Sequence, residues 1–417
     1  MILDTDSNIS PLDQAKMLVH ETEGWCLAPV VDWMFSPAAK TLEPDILVQG
    51  CVAKLQEVGA PINRLRYSVW SIHPQLAVFS FIWSKKTGAV KTVEFPHGVR
   101  ETNAYIGSPV EDIIKTQKPH RYRLSDLDLT KEHPILTELY EQGTTDYLGI
   151  PLLSASGEVH IVFISTDEKQ GFSDQDITKL IRFTDFLQPK MEVLSMHRLS
   201  VELLNTYLGK RTSHKVLEGQ IKRGDGELIK AALWYSDLRD FTPLTESLPA
   251  DELLDILNTY FEFVFDAVDA QGGEVLSFIG DAMLIVFPKE TAGTMAKACN
   301  AALNAAETAF TSLAAFNKKR LEQGKPGIRF GVGLHEGTVI YGNVGAPSRL
   351  DFTVMGPAVN RTARLEGLTK QTGSPLLMTK DFVGLVDRQT TSRGFHTMKG
   401  IAEPQEVFTL LSCENCS

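Results

Sequence analysis

Apolar positions recur at helical spacing in two long stretches of this chain and at strand spacing in several short ones. Asp251 to Gln271 puts Leu254, Leu257, Phe261, Val264 and Val268 on one face and stops at Gly272-Gly273, which predicts an amphipathic helix. Ala292 to Gln323 is alanine-rich and predicts a second, longer helix ending at Gly324. Ala231 to Tyr235 reads as a strand, followed by a helix start with Thr242 as N-cap and Pro243 at the first helical position. Glu274 to Phe287 reads as two strand segments joined by a tight Gly280-Asp281 turn, and Asp351 to Glu366 as strand, glycine turn and helix. In the first half, Pro44 to Glu57 predicts a helix. Strands are predicted at Arg64–Ile72, Leu76–Trp83, Ala89–Phe95, Asp146–Leu153 and Val159–Ser165, before a helix that Ser173 caps.

Two aspartates stand out in the second half because both sit at strand ends. Asp237 follows the Ala231 strand and Asp281 occupies the hairpin turn. If their strands are neighbours, the two carboxylates can hold a pair of hard divalent cations, and metals about 3.5–4 Å apart serve in-line displacement at phosphorus. Beside Asp237, the loop Leu238 to Phe241 offers backbone N–H groups at a helix N-terminus, which suits phosphate. Asn360 and Arg364 stand at i and i+4 on the later helix, an amide and a guanidinium on one face.

With these motifs in this order, the block from about Ala231 to Leu411 resembles the class III nucleotidyl cyclase catalytic domain. The matching segments are the Asp237 stretch with Phe241-Thr242 and the Gly272-Gly273…Gly280-Asp281 hairpin. To these are added Gly331-Val-Gly-Leu-His-Glu-Gly337 with Gly342-Asn-Val-Gly345, the Val359-Asn-Arg-Thr-Ala-Arg-Leu-Glu366 helix, and Lys399-Gly-Ile-Ala-Glu-Pro404. The resemblance implies a ferredoxin-like βαββαβ core of mixed α/β (α+β) class and a homodimer with its active sites at the interface. It implies two Mg2+ or Mn2+ ions per site, held by Asp237, Asp281 and the Leu238 carbonyl of one protomer, with Asn360 and Arg364 supplied by the other. The 3′-oxygen of a nucleoside triphosphate then attacks its own α-phosphorus. Arg364 stabilises the charge that develops there, while the loop amides of Arg239, Asp240, Phe241 and Thr242 bind phosphate. The side chains of Arg239, Asp240 and Glu366 read as surface or structural charges. A phosphate-binding lysine is expected late in the domain; Lys399 is the candidate, and Ile401 is the alternative occupant of that place.

The base-selecting positions depart from the pattern of adenylyl cyclases. Ser277 stands where their lysine is usual, and Thr353 fills the second selector position. ATP is the favoured substrate, and GTP or a pyrimidine triphosphate stays open. Two other classes compete: a degenerate cyclase fold kept as a nucleotide-sensing dimerisation module, and a diguanylate cyclase or polymerase-like enzyme. The four retained site residues speak against the first, and Gly280-Asp281 running on into Ala-Met speaks against the second.

Composition narrows the remaining classes. The 417 residues carry a net charge of −11, which argues against nucleic-acid binding, and no apolar run reaches membrane-spanning length. A cytoplasmic location is expected from these and from the acidic N-terminus. The five cysteines form no disulfide framework, and Cys413 and Cys416 read as free thiols in a tail. The chain is expected to divide into a regulatory domain at 1–185, a signalling helix and transducing linker at 186–228, the catalytic domain at 229–412 and a tail at 413–417. The strands, turn and helices of the first part resemble a GAF-type sensor, whose ligand, if any, is not legible, nor is the sign of regulation. Leu187, Met191, Leu194, Val201 and Leu208 follow a 4-3 spacing interrupted by Arg198 and Asn205, which fits a parallel coiled coil from Lys190 to about Leu208 and, nearly as well, a helix packed on its own domain. Pro189 is expected to precede that helix.

Overall fold

The computed structural model describes residues 24–40, 43–71, 73–154 and 157–411. Cys413 and Cys416 lie outside them. The chain forms two compact units that divide between Leu203 and Leu204.

The first unit contains helices α1 (Ala28–Phe35) and α2 (Pro44–Glu57), strands β1 (Arg64–Trp70), β2 (Leu76–Ser84) and β3 (Val90–Pro96), and helix α3 (Pro109–Thr116). Strand β4 (His120–Arg123), helix α4 (Pro134–Glu141), strands β5 (Asp146–Leu153) and β6 (Val159–Thr166), and helix α5 (Asp174–Leu208) follow. The strands form one sheet in the order β3-β2-β1-β6-β5-β4, antiparallel throughout. Strand alternation sends Leu65, Tyr67 and Val69 to one face, where α1, α2 and α5 close the main core. The other face packs Tyr147, Ile161 and Phe163 under α3 and α4.

Helix α5 departs from expectation in running unbroken through Pro189. An interior proline costs about 3 kcal/mol, and here the fully buried Phe183, Leu187 and Met191 flank it and offset that cost by packing into the core. The 4-3 seam is also largely used within the chain. Leu187, Met191 and Leu194 belong to the first unit's own core, and Arg198 stacks over Phe79 at 5.0 Å and pairs with Glu202 at 2.9 Å. Over Leu187 to Leu194 the seam therefore packs on the unit's own sheet, while Val201 and Leu208 lie outside that core. Ser173 does cap α5, accepting from the Asp176 N–H at 3.1 Å.

The second unit opens with α6 (Lys210–Leu217), then β7 (Gly226–Leu238), α7 (Phe241–Ser247), α8 (Ala250–Asp269), β8 (Glu274–Ile279) and β9 (Ala282–Pro288). The long helix expected from Ala292 starts instead at Met295: α9 is Met295–Glu322, because Gly293 turns left-handed (φ 86°) and Thr294 caps the new start. Strands β10 (Phe330–Ala346) and β11 (Arg349–Met355), helix α10 (Pro357–Thr372), and strands β12 (Leu376–Thr379), β13 (Thr390–His396) and β14 (Gln405–Leu410) complete it. The sheet order is β13-β14-β12-β10-β7-β9-β8, with β11 paired to β10. Its β10-β7-β9-β8 portion, with α8 and α9 as crossovers, is the ferredoxin-like βαββαβ arrangement. Helices α8 and α9 cover the face carrying Ala232 and Trp234. The opposite face carries Ile229, Ala231 and Leu233 against β11 and the start of α10. Among the described residues no helix is long and apolar enough to cross a membrane.

Candidate active site

Strand β7 runs further than its apolar core suggests and includes Asp237 in the ladder, paired with Ala282 of β9 and Gly331 of β10. The two-residue period puts Asp237 on the face of Leu233 and Tyr235, away from α8 and α9. Asp281 sits in the β8–β9 turn, which Gly280 closes with φ 66°, a conformation open to glycine at little cost. Because β9 neighbours β7 and Asp237 pairs with Ala282, the Asp281 carboxyl stands beside that of Asp237. Burial and then the Asp237 carboxyl push Asp281 from 3.8 up to about 7. Two adjacent carboxyls, one of them disfavoured in its charged form by burial and by its neighbour, suit a divalent cation that would neutralise both. Among the described residues no third His, Cys, Asp or Glu joins them. The remaining ligands of such a cation therefore come from backbone carbonyls, with Leu238 adjacent, from water and from a bound oxyanion. That is how Mg2+ is commonly held, so the donor set fits.

The loop after β7 differs from expectation. Helix α7 starts at Phe241, with Asp240 as a left-handed N-cap (φ 58°), so Pro243 falls on the third helical position instead of the first. The Arg239 N–H donates to the Arg329 carbonyl at 2.7 Å, which removes it from the expected phosphate cradle. The amides of Phe241 and Thr242 remain first-turn N–H groups without an intrahelical acceptor. Phe241 packs against the α8–α9 core and anchors the loop. The Arg239 side chain is not a surface charge: it pairs with Glu366 of α10 at 3.2 Å, the two only 11% and 5% exposed. Burial pulls the Arg239 guanidinium down and pushes the Glu366 carboxyl up, while each partner opposes the other's shift. Asp240 is exposed and pairs with Arg329 at 3.0 Å.

Helix α10 seats close to β10 because Gly331 and Gly333 lack side chains. A Cβ on Gly333 would lie 2.6 Å from the Glu366 nitrogen, and one on Gly331 would strike the Arg239–Glu366 pair. Its inner face buries Ala358, Thr362, Leu365, Glu366 and Thr369. Asn360 lies exposed on another face and Arg364 is half-buried. Both line an open cleft of about 480 Å³ together with Gly356, Pro357, Arg361, Gly400 and Ile401. Neither Asp237 nor Asp281 is among the residues that line this cleft.

Lys399 is exposed and does not line the cleft, whereas Ile401 does, so the expected lysine position is filled by an aliphatic side chain. Ser277 on β8 and Thr353 on β11 are both half-buried, and among the described residues neither hydroxyl has a hydrogen-bond partner. Ser277 adjoins a bulge in the β8–β9 ladder, and Thr353 pairs with Gly342. The sequence reading missed Arg361, whose place one residue after Asn360 was its only signal. It also missed buried His335, whose Nδ1 lies 2.9 Å from the Thr379 hydroxyl.

Residues 227–412 match the family model described as adenylate and guanylate cyclase catalytic domain. Over 167 residues, 39% of this chain, it is 36% identical to an adenylate cyclase of Anabaena cylindrica, and the match covers 32% of that protein. It is 35% identical to adenylate cyclase 1 of Rhizobium meliloti over 145 residues, 34% of this chain and 21% of the relative. The chain therefore spans a third or less of these relatives' lengths. The crystal structure of the adenylyl cyclase CyaB from P. aeruginosa aligns with 45% of this chain and 95% of its own, at 25% identity and a TM-score of 0.42. Motif order, the βαββαβ sheet, the paired aspartates and the family match agree: residues 227–412 belong to the class III adenylate and guanylate cyclase catalytic domains.

Proposed function

We propose that this protein converts a nucleoside triphosphate, ATP foremost, into a 3′,5′-cyclic nucleotide and pyrophosphate at sites shared between two copies of the chain. The observation that carries this reading is the placement of Asp237 and Asp281 side by side on adjacent strands. Divalent cations bound there, helped by the Leu238 carbonyl, would acidify the ribose 3′-hydroxyl and neutralise the triphosphate.

The chain's own groups do the positioning. The Phe241 and Thr242 amides, joined by that of Asp240, face phosphate oxygens at the start of α7. Asn360 orients the ribose, and Arg364 meets the charge that builds on the α-phosphoryl oxygens. The 3′-O–P bond forms as the bond to pyrophosphate breaks, and the hydroxyl proton passes to solvent. Because neither Asp237 nor Asp281 lines the cleft that Asn360 and Arg364 share within one copy, a second copy is taken to supply Asn360 and Arg364 across a two-fold axis.

The adenylate cyclase names of the relatives favour ATP. The hydroxyls of Ser277 and Thr353 can each donate or accept, which keeps GTP and pyrimidine triphosphates as the second reading. The first unit, a six-stranded antiparallel sheet with helices on both faces, is read as a GAF-like regulatory module. The test incubates the protein and its Asp237→Ala variant with ATP, GTP, CTP and UTP plus Mn2+, and identifies products by mass spectrometry. A cyclic product lost in the variant is expected. No cyclic product from the full chain or from a chain lacking residues 1–205 would overturn the reading.

A further inference from the structure

The cleft on α10 carries two guanidinium groups. Arg361 and Arg364 line it together, and no carboxylate is among its lining residues. Neither arginine has an ion pair or a side-chain hydrogen bond with any described residue. Arg239, Arg320, Arg329 and Arg388 of the same unit each lie within 4.0 Å of a carboxylate. The N-terminal residues of α10, Gly356 and Pro357, line the same cleft, so the positive end of a 16-residue helix adds to the two cations. Arg361 is held near the helix–sheet contact, since its charge reaches buried His335 on β10. Two cations and a helix N-terminus without a counter-charge form a site for a multiply charged anion.

The opposite wall explains why a second arginine is needed. Ile401 lines the cleft where the family resemblance places a phosphate-binding lysine, and Lys399 stays outside it. Arg361 and Arg364 are three residues apart on α10, close enough to span neighbouring phosphates. We propose that Arg361 binds the β- and γ-phosphates of the nucleoside triphosphate, supplying the charge that Ile401 cannot, while Arg364 serves the α-phosphate. This assignment rests on the cyclase reading of the site. Arg361 is thereby a substrate-binding residue particular to this chain.

The test compares the full-length protein with Arg361→Ala and with the double variant Arg361→Ala/Ile401→Lys. Calorimetry measures binding of tripolyphosphate in the presence of Mg2+, and steady-state kinetics give KM and kcat for the best triphosphate. Arg361→Ala should weaken tripolyphosphate binding and raise KM by about 10- to 100-fold, as expected for loss of charged hydrogen bonds, with a smaller change in kcat. The added lysine should recover most of that loss, which a purely structural role for Arg361 could not produce. Equal thermal unfolding of the three proteins excludes misfolding as the cause. Affinity and KM of Arg361→Ala within twofold of wild type would overturn the proposal, as would a lysine that restores nothing. If tripolyphosphate binding depends on Arg361 but no cyclic product forms from any triphosphate, the anion site stands and the cyclase reading falls.

Discussion

Replacing Gly333 with alanine tests how tightly the catalytic helix is tied to the sheet. Gly333 lies in β10, paired with Tyr235 on one side and Leu377 on the other, so the strand has little freedom to move. Its added Cβ would stand 2.6 Å from the Glu366 nitrogen and 2.7 Å from the Thr362 carbonyl oxygen, both backbone atoms of α10. Ordinary contact begins at 3.4 Å, so the helix must withdraw by about 0.8 Å. Overpacking of this kind costs roughly 1–3 kcal/mol. The displaced helix carries Asn360, Arg361 and Arg364, and a misplacement near 1 Å can cost about 100-fold in rate. Gly367→Ala is the matched control: it lies on the same helix, nothing stands within 4 Å of its Cβ, and it should stabilise by about 0.5–1 kcal/mol. Urea unfolding followed by tryptophan fluorescence reads stability, and steady-state turnover reads position. A Gly333→Ala protein with wild-type midpoint and wild-type kcat/KM would refute this account of the glycine. A lost midpoint with unchanged kinetics would refute the link between helix seating and catalysis.

Three further outcomes follow from the same geometry. Glu366→Gln leaves the Arg239 guanidinium without its buried counter-charge and should destabilise the protein by roughly 3 kcal/mol, read from the denaturation midpoint; a shift within 0.5 kcal/mol would count against the pair. His335 is held down from 6.5 to about 4, chiefly by burial and secondarily by Arg361. The unfolded chain therefore takes up the proton first, and stability present above pH 6.5 is lost as pH falls toward 4, on the order of 2–3 kcal/mol. His335→Gln should flatten that decline in melting scans, and an identical slope would show that other groups cause it. Because Asp281 holds its proton up to about pH 7, Mn2+ affinity should fall by about tenfold per pH unit below that point. Mn2+ titrations at pH 6 and 8 followed by electron paramagnetic resonance check this, and equal affinities would contradict it.

The catalytic fold was readable from the sequence because local signals agreed with one another. The Asp251 helix, the Gly272-Gly273 stop and the Gly280-Asp281 turn recur as α8 and the β8–β9 hairpin, though Leu254 of the expected stripe is exposed and Ile256 and Tyr260 join Val264 and Val268 on the buried face. Asp237 and Asp281 were legible as a pair, since each sits where a strand ends or turns. Features set by tertiary contact were not legible. Nothing near Arg239 in sequence points to Glu366, 127 positions later, and only the close approach of α10 over Gly331 makes that pair. Pro189 misled for a similar reason, as a local helix-breaking preference yields to the core that Phe183, Leu187 and Met191 build. The 4-3 spacing of α5 fits a coiled coil and an amphipathic helix on a sheet equally well, and burial assigns Leu187, Met191 and Leu194 to the sheet. The loose register around Lys399 needed the cleft itself to show that Ile401 faces it.

The central claim, a cyclase site completed by two copies of the chain, is tested most directly by complementation. Asp281→Ala and Arg364→Ala are each expected to abolish formation of the 3′,5′-cyclic nucleotide, because each removes one half of both sites in a symmetric dimer. Co-expressed, half of the dimers combine the two variants and regain one intact site, so about a quarter of wild-type activity should return. A co-expressed pair as inactive as its parents, or either single variant retaining full turnover, would contradict the account.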